Sequence, residues 1–208
     1  MSKRAGAVSA ETRERLLQAA EGEFAEKGFQ ASSLRQICAA AGVTTGALYF
    51  FFSGKDELFQ TVISRVTVPF MDLVRDHYRE EMDFLHRDPA DNERSDQEIA
   101  CRLMDFYFQE RRTWDVLLGH LSHPAVLAFV REYVEVSTDH YMHLLDLVRE
   151  TCPLQSAVDR FAVHQFVHMQ LDTMITLTSR NFDREEMQQH SRLMSRMLRS
   201  AFLALLAQ

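Results

Sequence analysis

The chain has 208 residues, 46% of them hydrophobic and 25% charged, with a formal net charge of −7. That length allows one substantial core, or a small module followed by a larger domain, and the seven Gly and four Pro are too few for a low-complexity or disordered chain. No apolar run approaches the roughly 20 residues that cross a bilayer, the opening MSKRAGAVSAE lacks a hydrophobic signal region, and Cys38, Cys101 and Cys152 form no C-x-x-C pair. A soluble cytoplasmic protein with reduced thiols and no membrane partner is expected.

β-branched residues form no alternating runs, so the fold class is all-α. Leu17, Ala20 and Phe24 recur at helical spacing in a first helix over about residues 9 to 27, which Gly28 stops. Ser32 or Ser33 caps a second helix, with Gln36 completing a capping box from Ser33, and Gly42 ends it. Thr44 caps a third helix from Thr45 to about Phe51. Ser53-Gly54-Lys55-Asp56 then marks a stop and a new cap for a fourth helix running towards Tyr78.

Further on, Asp88-Pro89-Ala90-Asp91-Asn92 is expected as a polar loop, and Ser95-x-x-Glu98 as a capping box. Helices follow over about 95 to 111, 113 to 121 and 124 to 150, the last with Pro124 at its first position and Pro153 beyond its end. The stretch from about 155 to 180 is apolar on nearly every face, as expected of a central core helix or one covered by a partner. Asp183-x-x-Glu186 caps a terminal helix ending near Ala207.

Charge divides this helical chain unevenly. Through residue 60, seven bases balance seven acids, so the whole −7 lies beyond it. From Lys27 to Lys55 there are three cations (Lys27, Arg35, Lys55) and no Asp or Glu. An acidic chain that keeps one segment free of acid places it against an anion. Inside that segment two short helices are separated by Ala41-Gly42-Val43, the layout of a DNA-reading helix-turn-helix. The expected organisation is a helix-turn-helix DNA-binding domain of three helices over residues 1–54, then a helical-bundle domain over 55–208.

The stretch TRERLLQAAEGEFAEKGFQASSLRQICAAAGVTTGALYFFFSGKDELF resembles the N-terminal domain of the TetR family of bacterial transcriptional regulators. F-A-E-K-G-F, I-x-x-x-A-G-V and G-x-L-Y-x-x-F stand in register. The resemblance implies an all-helical second domain that dimerises through its last helices and holds a small-molecule effector. It also implies DNA contacts from the third helix and its surroundings. Thr44 and Thr45 offer hydroxyls and free N–H groups to phosphate or base edges, with Ala47 limited to a thymine methyl contact. Tyr49 and Lys55 would reach the backbone, with Ser33 and Arg35 nearby and Lys3 and Arg4 on an N-terminal arm. Thr45 stands where Lys is frequent in the family, so a phosphate contact there is weaker or becomes a base-edge contact, and Phe50 and Phe51 stand where His or Tyr is frequent, with rings that cannot hydrogen-bond a phosphate. Cys38 fills a small buried position, as a core hydrophobe.

In the body, Phe106, Trp114, Phe129 and Tyr133 with Arg111, His120 and His140 are candidates for a largely apolar pocket taking an aromatic or apolar effector. Phe166, Leu193, Met194, Met197, Leu198, Ala201 and Leu205 are candidates for the interface of a homodimer bound to a palindromic duplex operator. His140 with His143 and His164 with His168 share helical faces but lack a third ligand at matching spacing, so no metal and no cofactor is assigned. An enzyme is the rival class, yet H-E-x-x-H, paired Glu-x-x-His, G-x-S-x-G and a Gly-rich phosphate loop are all missing. A helical dimer that binds DNA without any small molecule stays open.

Overall fold

Apolar residues at helical spacing, punctuated by caps rather than breakers, give a chain of helices. A computed structural model describes residues 2–82, 89–151, 158–180 and 182–206, with the side chains at 2–8, 89–93, 151, 203, 205 and 206 outside that description. The helices are α1 (Ser2–Ala31), α2 (Leu34–Ala41), α3 (Thr45–Phe51), α4 (Lys55–Glu81), α5 (Pro89–Gln109), α6 (Arg111–Leu118), α7 (Pro124–Thr151), α8 (Arg160–Ser179) and α9 (Arg184–Leu206). Among the described residues there is no strand, and no helix is long and apolar enough to cross a membrane.

The chain divides into two compact units. The first comprises residues 1–69 and 110–127, the second 70–109 and 128–208. The sequence expectation of one cut at residue 54 differs from this, because α4 carries the first unit on to Pro69 and α6 returns to it. Within the first unit, Leu16, Leu17, Ala20 and Phe24 of α1 meet Ile37 and Cys38 of α2, Leu48 of α3, Leu58, Phe59 and Val62 of α4 and Val116 and Leu117 of α6, all buried. Phe59 packs edge-on against Phe24 and Phe29, each at 5.2 Å between ring centroids. Burying a side chain of this size contributes about 1.5–3 kcal/mol. Burial also pushes the Cys38 thiol pKa up, which suits an inert core position.

The second unit has its core around Leu144, Leu145, Val158, Val163, Phe166 and Phe202, contributed by α7, the approach to α8, α8 itself and α9. Local chemistry fixes the helix starts. Asp159 accepts the Ala162 N–H at 2.8 Å before α8. At α9 the capping is reciprocal: Asp183 Oδ1 accepts the Glu186 N–H at 2.9 Å, and Glu186 Oε2 accepts the Asp183 N–H at 3.0 Å.

Three boundaries differ from those expected. The first helix begins at Ser2, and Gly28, at φ 73° and ψ 167°, interrupts its geometry near the end. Ser33 is the N-cap of α2, but its hydroxyl makes no capping bond, and its N–H goes to Glu23 Oε1 at 3.2 Å instead. α5 already runs at Pro89, so Pro89 to Asn92 are helical rather than loop and Ser95 is interior, not a cap; proline in a first turn loses no intrahelical bond. Asp88, Cys152 and Pro153 lie outside the described residues.

Candidate nucleic-acid interface and effector region

The turn before α3 is built by Gly42, at φ 66°, whose N–H bonds Ala39 O at 3.1 Å while the Val43 N–H bonds Cys38 O at 2.9 Å. Only a left-handed residue closes a helix this tightly. Thr44 then caps α3, its Oγ1 accepting the Ala47 N–H at 3.2 Å. Leu48 and Phe52 anchor α3 to the core, with Arg13 lying over the Phe52 ring at 5.3 Å. Helical periodicity therefore turns Thr45, Gly46, Tyr49 and Phe50 outward, Tyr49 at 58% and Phe50 at 78% exposure. Ala47 is half-buried. The face thus offers two hydroxyls and one bare aromatic ring, with no carboxylate on α2 or α3.

The cations behave less simply than their spacing implied. Lys27 pairs with Glu23 at 2.9 Å. That hydrogen bond holds the Glu23 carboxyl below its usual range, against burial, and the Ser33 N–H helps. Lys55 directs its ammonium inward, donating to Phe29 O at 2.7 Å, Ser32 O at 3.2 Å and Gln30 O at 3.3 Å, and sits 4.6 Å from the Phe29 ring centroid. An ammonium has three hydrogens, so a phosphate contact from Lys55 would displace one of these bonds. Arg35 is exposed and makes no ion pair among the described residues. Ser33 is half-buried, and the side chains of Lys3 and Arg4 lie outside the described residues.

Arg111, Trp114 and His120 belong to the first unit, whereas Phe106, Phe129, Tyr133 and His140 belong to the second. α6 buries Thr113, Trp114, Val116 and Leu117, and the Thr113 hydroxyl donates to Glu21 of α1. His120 Nε2 accepts the Phe29 N–H at 2.7 Å and its Nδ1 faces Val116 O, an arrangement that suits the tautomer with its proton on Nδ1. His123 caps α7, accepting the Ala125 N–H on Nδ1 at 3.2 Å. Its position among neighbouring helices was invisible to a reading by sequence adjacency.

In the second unit, Phe129 and Tyr133 both pack on Phe70, at 5.7 and 5.8 Å between centroids. Tyr78 stacks on His140 at 3.9 Å and 6° and donates its hydroxyl to Ser137 at 2.8 Å. His140 Nε2 lies 2.9 Å from Glu81 Oε2, and His77 Nε2 is 3.5 Å from the same oxygen. Asp96 of α5 pairs with Arg199 of α9. Burial raises the pKa of Tyr78, Tyr133 and Tyr141, so their phenols act as neutral hydrogen-bonding groups. Of the polar members, only His140 and Tyr133 were anticipated; the i,i+4 spacing of His77 and Glu81 was the available signal, whereas nothing in sequence joins Asp96 or Arg199 to them.

Residues 16–62 match the family described as bacterial regulatory proteins, tetR family. The matched segment is less than a quarter of the chain and lies inside the first unit. The transcriptional repressor BepR of Brucella suis is 48% identical over 67 residues, which are 32% of this chain and 32% of that protein. The transcriptional regulator SrpR of Pseudomonas putida is 41% identical over 64 residues, 31% of this chain and 30% of its own. The chain thus matches about a third of the length of these relatives, which are regulators rather than enzymes. For the fold, SmeT, the repressor of the Stenotrophomonas maltophilia multidrug efflux pump SmeDEF, superposes with TM-score 0.67 at 22% identity over 92% of this chain and 91% of its own. Salmonella enterica GusR superposes with TM-score 0.61 at 21% identity over 95% and 96%.

In the second unit, the last two helices carry exposed apolar side chains. On α8, Val163, Phe166, Val167 and Leu171 face inward, while Phe161 and Met169 are exposed. Phe166, 6% exposed against Tyr141 and Phe202, fills the subunit's own core and is corrected as an interface candidate. Leu198 packs partly on that same core. On α9, Leu193, Met197 and Ala201 are exposed and Met194 is half-buried; the Leu205 side chain is outside the described residues. His143 is exposed and diverges from buried His140, but His164 and His168 converge, Nε2 to Nε2 at 3.2 Å.

Proposed function

We propose that this chain is a homodimeric, ligand-responsive transcriptional repressor acting in the cytoplasm on a palindromic duplex operator. The observation that carries it is the acid-free outward face of α3, with Thr45, Tyr49 and exposed Phe50 on a TetR-family helix-turn-helix. Thr45 and the helix N-terminus address base edges and phosphate, Tyr49 and Arg35 address the backbone, and Phe50 supplies apolar contact. Repression is the direction named for BepR and SmeT.

Exposed Leu193, Met197 and Ala201 on α9, with Phe161 and Met169 on α8, support an isologous interface, which makes the operator palindromic. A largely apolar or aromatic effector binding the second unit beside Phe129, Tyr133 and Phe106 lowers operator affinity by its preference for the unbound form. A ligand-free regulator is the second reading, favoured by the way Tyr78, Ser137, His140 and Glu81 already satisfy one another.

Duplex selection from a random pool, followed by titrations at several salt concentrations, tests this. A palindromic site should emerge; Tyr49→Phe should weaken binding to all sequences, Thr45→Ala should also change base preference, and Arg35→Ala should lower the salt slope by about one unit. Met197→Arg should yield monomers in sedimentation and lose tight binding. Failure to enrich any duplex would reject the DNA-binding reading, and a Met197→Arg dimer would reject the α9 interface.

A further inference from the structure

The polar cluster of the second unit has the makings of a metal centre. His77 and Glu81 lie one helical turn apart on α4, and Asp96 comes to them from α5, with one donor atom from each residue all within 4.8 Å of one another. A tetrahedral ion with bonds near 2.1 Å holds its ligands about 3.4 Å apart, close to the 3.5 Å between His77 Nε2 and Glu81 Oε2. Surrounding groups orient the donors. His140 lies against Glu81 Oε2 and is itself stacked on Tyr78, while Arg199 holds Asp96. Such outer partners fix the carboxylates of metal sites. Two carboxylates, Glu81 and Asp96, stand in this cluster, and Asp96 pairs with Arg199.

We propose that His77, Glu81 and Asp96 bind a divalent first-row transition ion of the Zn2+ type in the second unit. One imidazole and two carboxylates are borderline N/O donors; they disfavour Cu(I), which wants thiolate or thioether, and the imidazole disfavours Ca2+. His140 is a positioning residue that holds Glu81, and the remaining coordination position is for water or an exogenous ligand. The converging pair His164 and His168 supplies two nitrogens with no third ligand among the described residues. This site rests on α4, α5, α7 and α9 alone and does not depend on the DNA-binding reading.

The test uses the whole chain, stripped with a chelator and titrated with Co2+. One equivalent should bind with the visible d–d absorption of a low-coordinate N/O site, and Zn2+ should displace it. His77→Ala and Asp96→Asn should abolish that binding, His140→Ala should weaken it about tenfold, and His164→Ala should leave it unchanged. X-ray absorption on the cobalt-loaded wild type decides without any variant, because it should report one imidazole among oxygen donors. Absence of stoichiometric binding by the wild type, a shell of two imidazoles, or binding that survives His77→Ala or disappears in His164→Ala would each overturn the proposal.

Discussion

The two units bury different chemistry. In the first, the interior is a run of leucines, valines and phenylalanines, and its buried polar side chains, Ser32 and Thr113, close short local or neighbouring-helix bonds. In the second, His77, Ser137, Thr138 and His140 are buried on α4 and α7. A buried polar group lowers stability unless it is paired, and apolar residues of similar volume would pack as well. The first interior therefore serves to hold a surface in place, whereas the second keeps polar groups where stability alone would not select them. That contrast is what the proposed roles of the two units rest on: an outer face in one, a polar interior in the other.

Each side of this contrast can be broken experimentally. The largest effect is expected from Phe59→Ala, which opens a cavity among Phe24, Phe29 and His123 and should cost about 3–5 kcal/mol in urea denaturation. A loss below 1 kcal/mol would mean that the first unit's core is not the rigid support described. Lys55→Ala removes the ammonium from three carbonyls and should cost about 1.5–2 kcal/mol, with the salt slope of DNA binding unchanged. A slope lowered by about one unit with stability intact would return Lys55 to the phosphate backbone.

Ser137→Ala removes the acceptor of the Tyr78 hydroxyl and should cost about 1 kcal/mol. A neutral result would erase the distinction between the two interiors. The smallest effect concerns pH. Burial lowers the His123 pKa while Asp56, 3.6 Å away, raises it, and the balance is a lowered value. The unfolded chain takes up this proton near pH ~6.5 and the folded chain only below that. This contribution to stability is therefore complete above the unfolded value and is lost as pH falls through the folded one. His123→Asn keeps a capping acceptor without titrating, so the gap between denaturation midpoints at about pH 7.5 and 5.5 should narrow.

How much of this was written locally explains what could be read from sequence. Gly42, Thr44, Pro124 and the Asp183–Glu186 box act within one turn of themselves, and each marks the boundary observed. The α3 face followed from the same local rules. Lys55 looked like a surface cation because its three carbonyl partners are 23 to 26 residues away. His120 bonds a residue 91 positions distant, and His140 one 59 positions distant, so neither environment has a sequence signature. Pro89 was read as loop punctuation, although the same proline serves equally well in a first helical turn.

Phe50 leaves a trace in temperature rather than in salt. Its ring stands 78% in water, and a duplex that covers it removes apolar surface from solvent, a process with a negative heat-capacity change. Ion release weakens steeply as salt rises, but dehydration of a ring does not. In concentrated salt, the residual affinity for a duplex that covered Phe50 would therefore rest more on apolar contact, and its enthalpy would slope with temperature most clearly there.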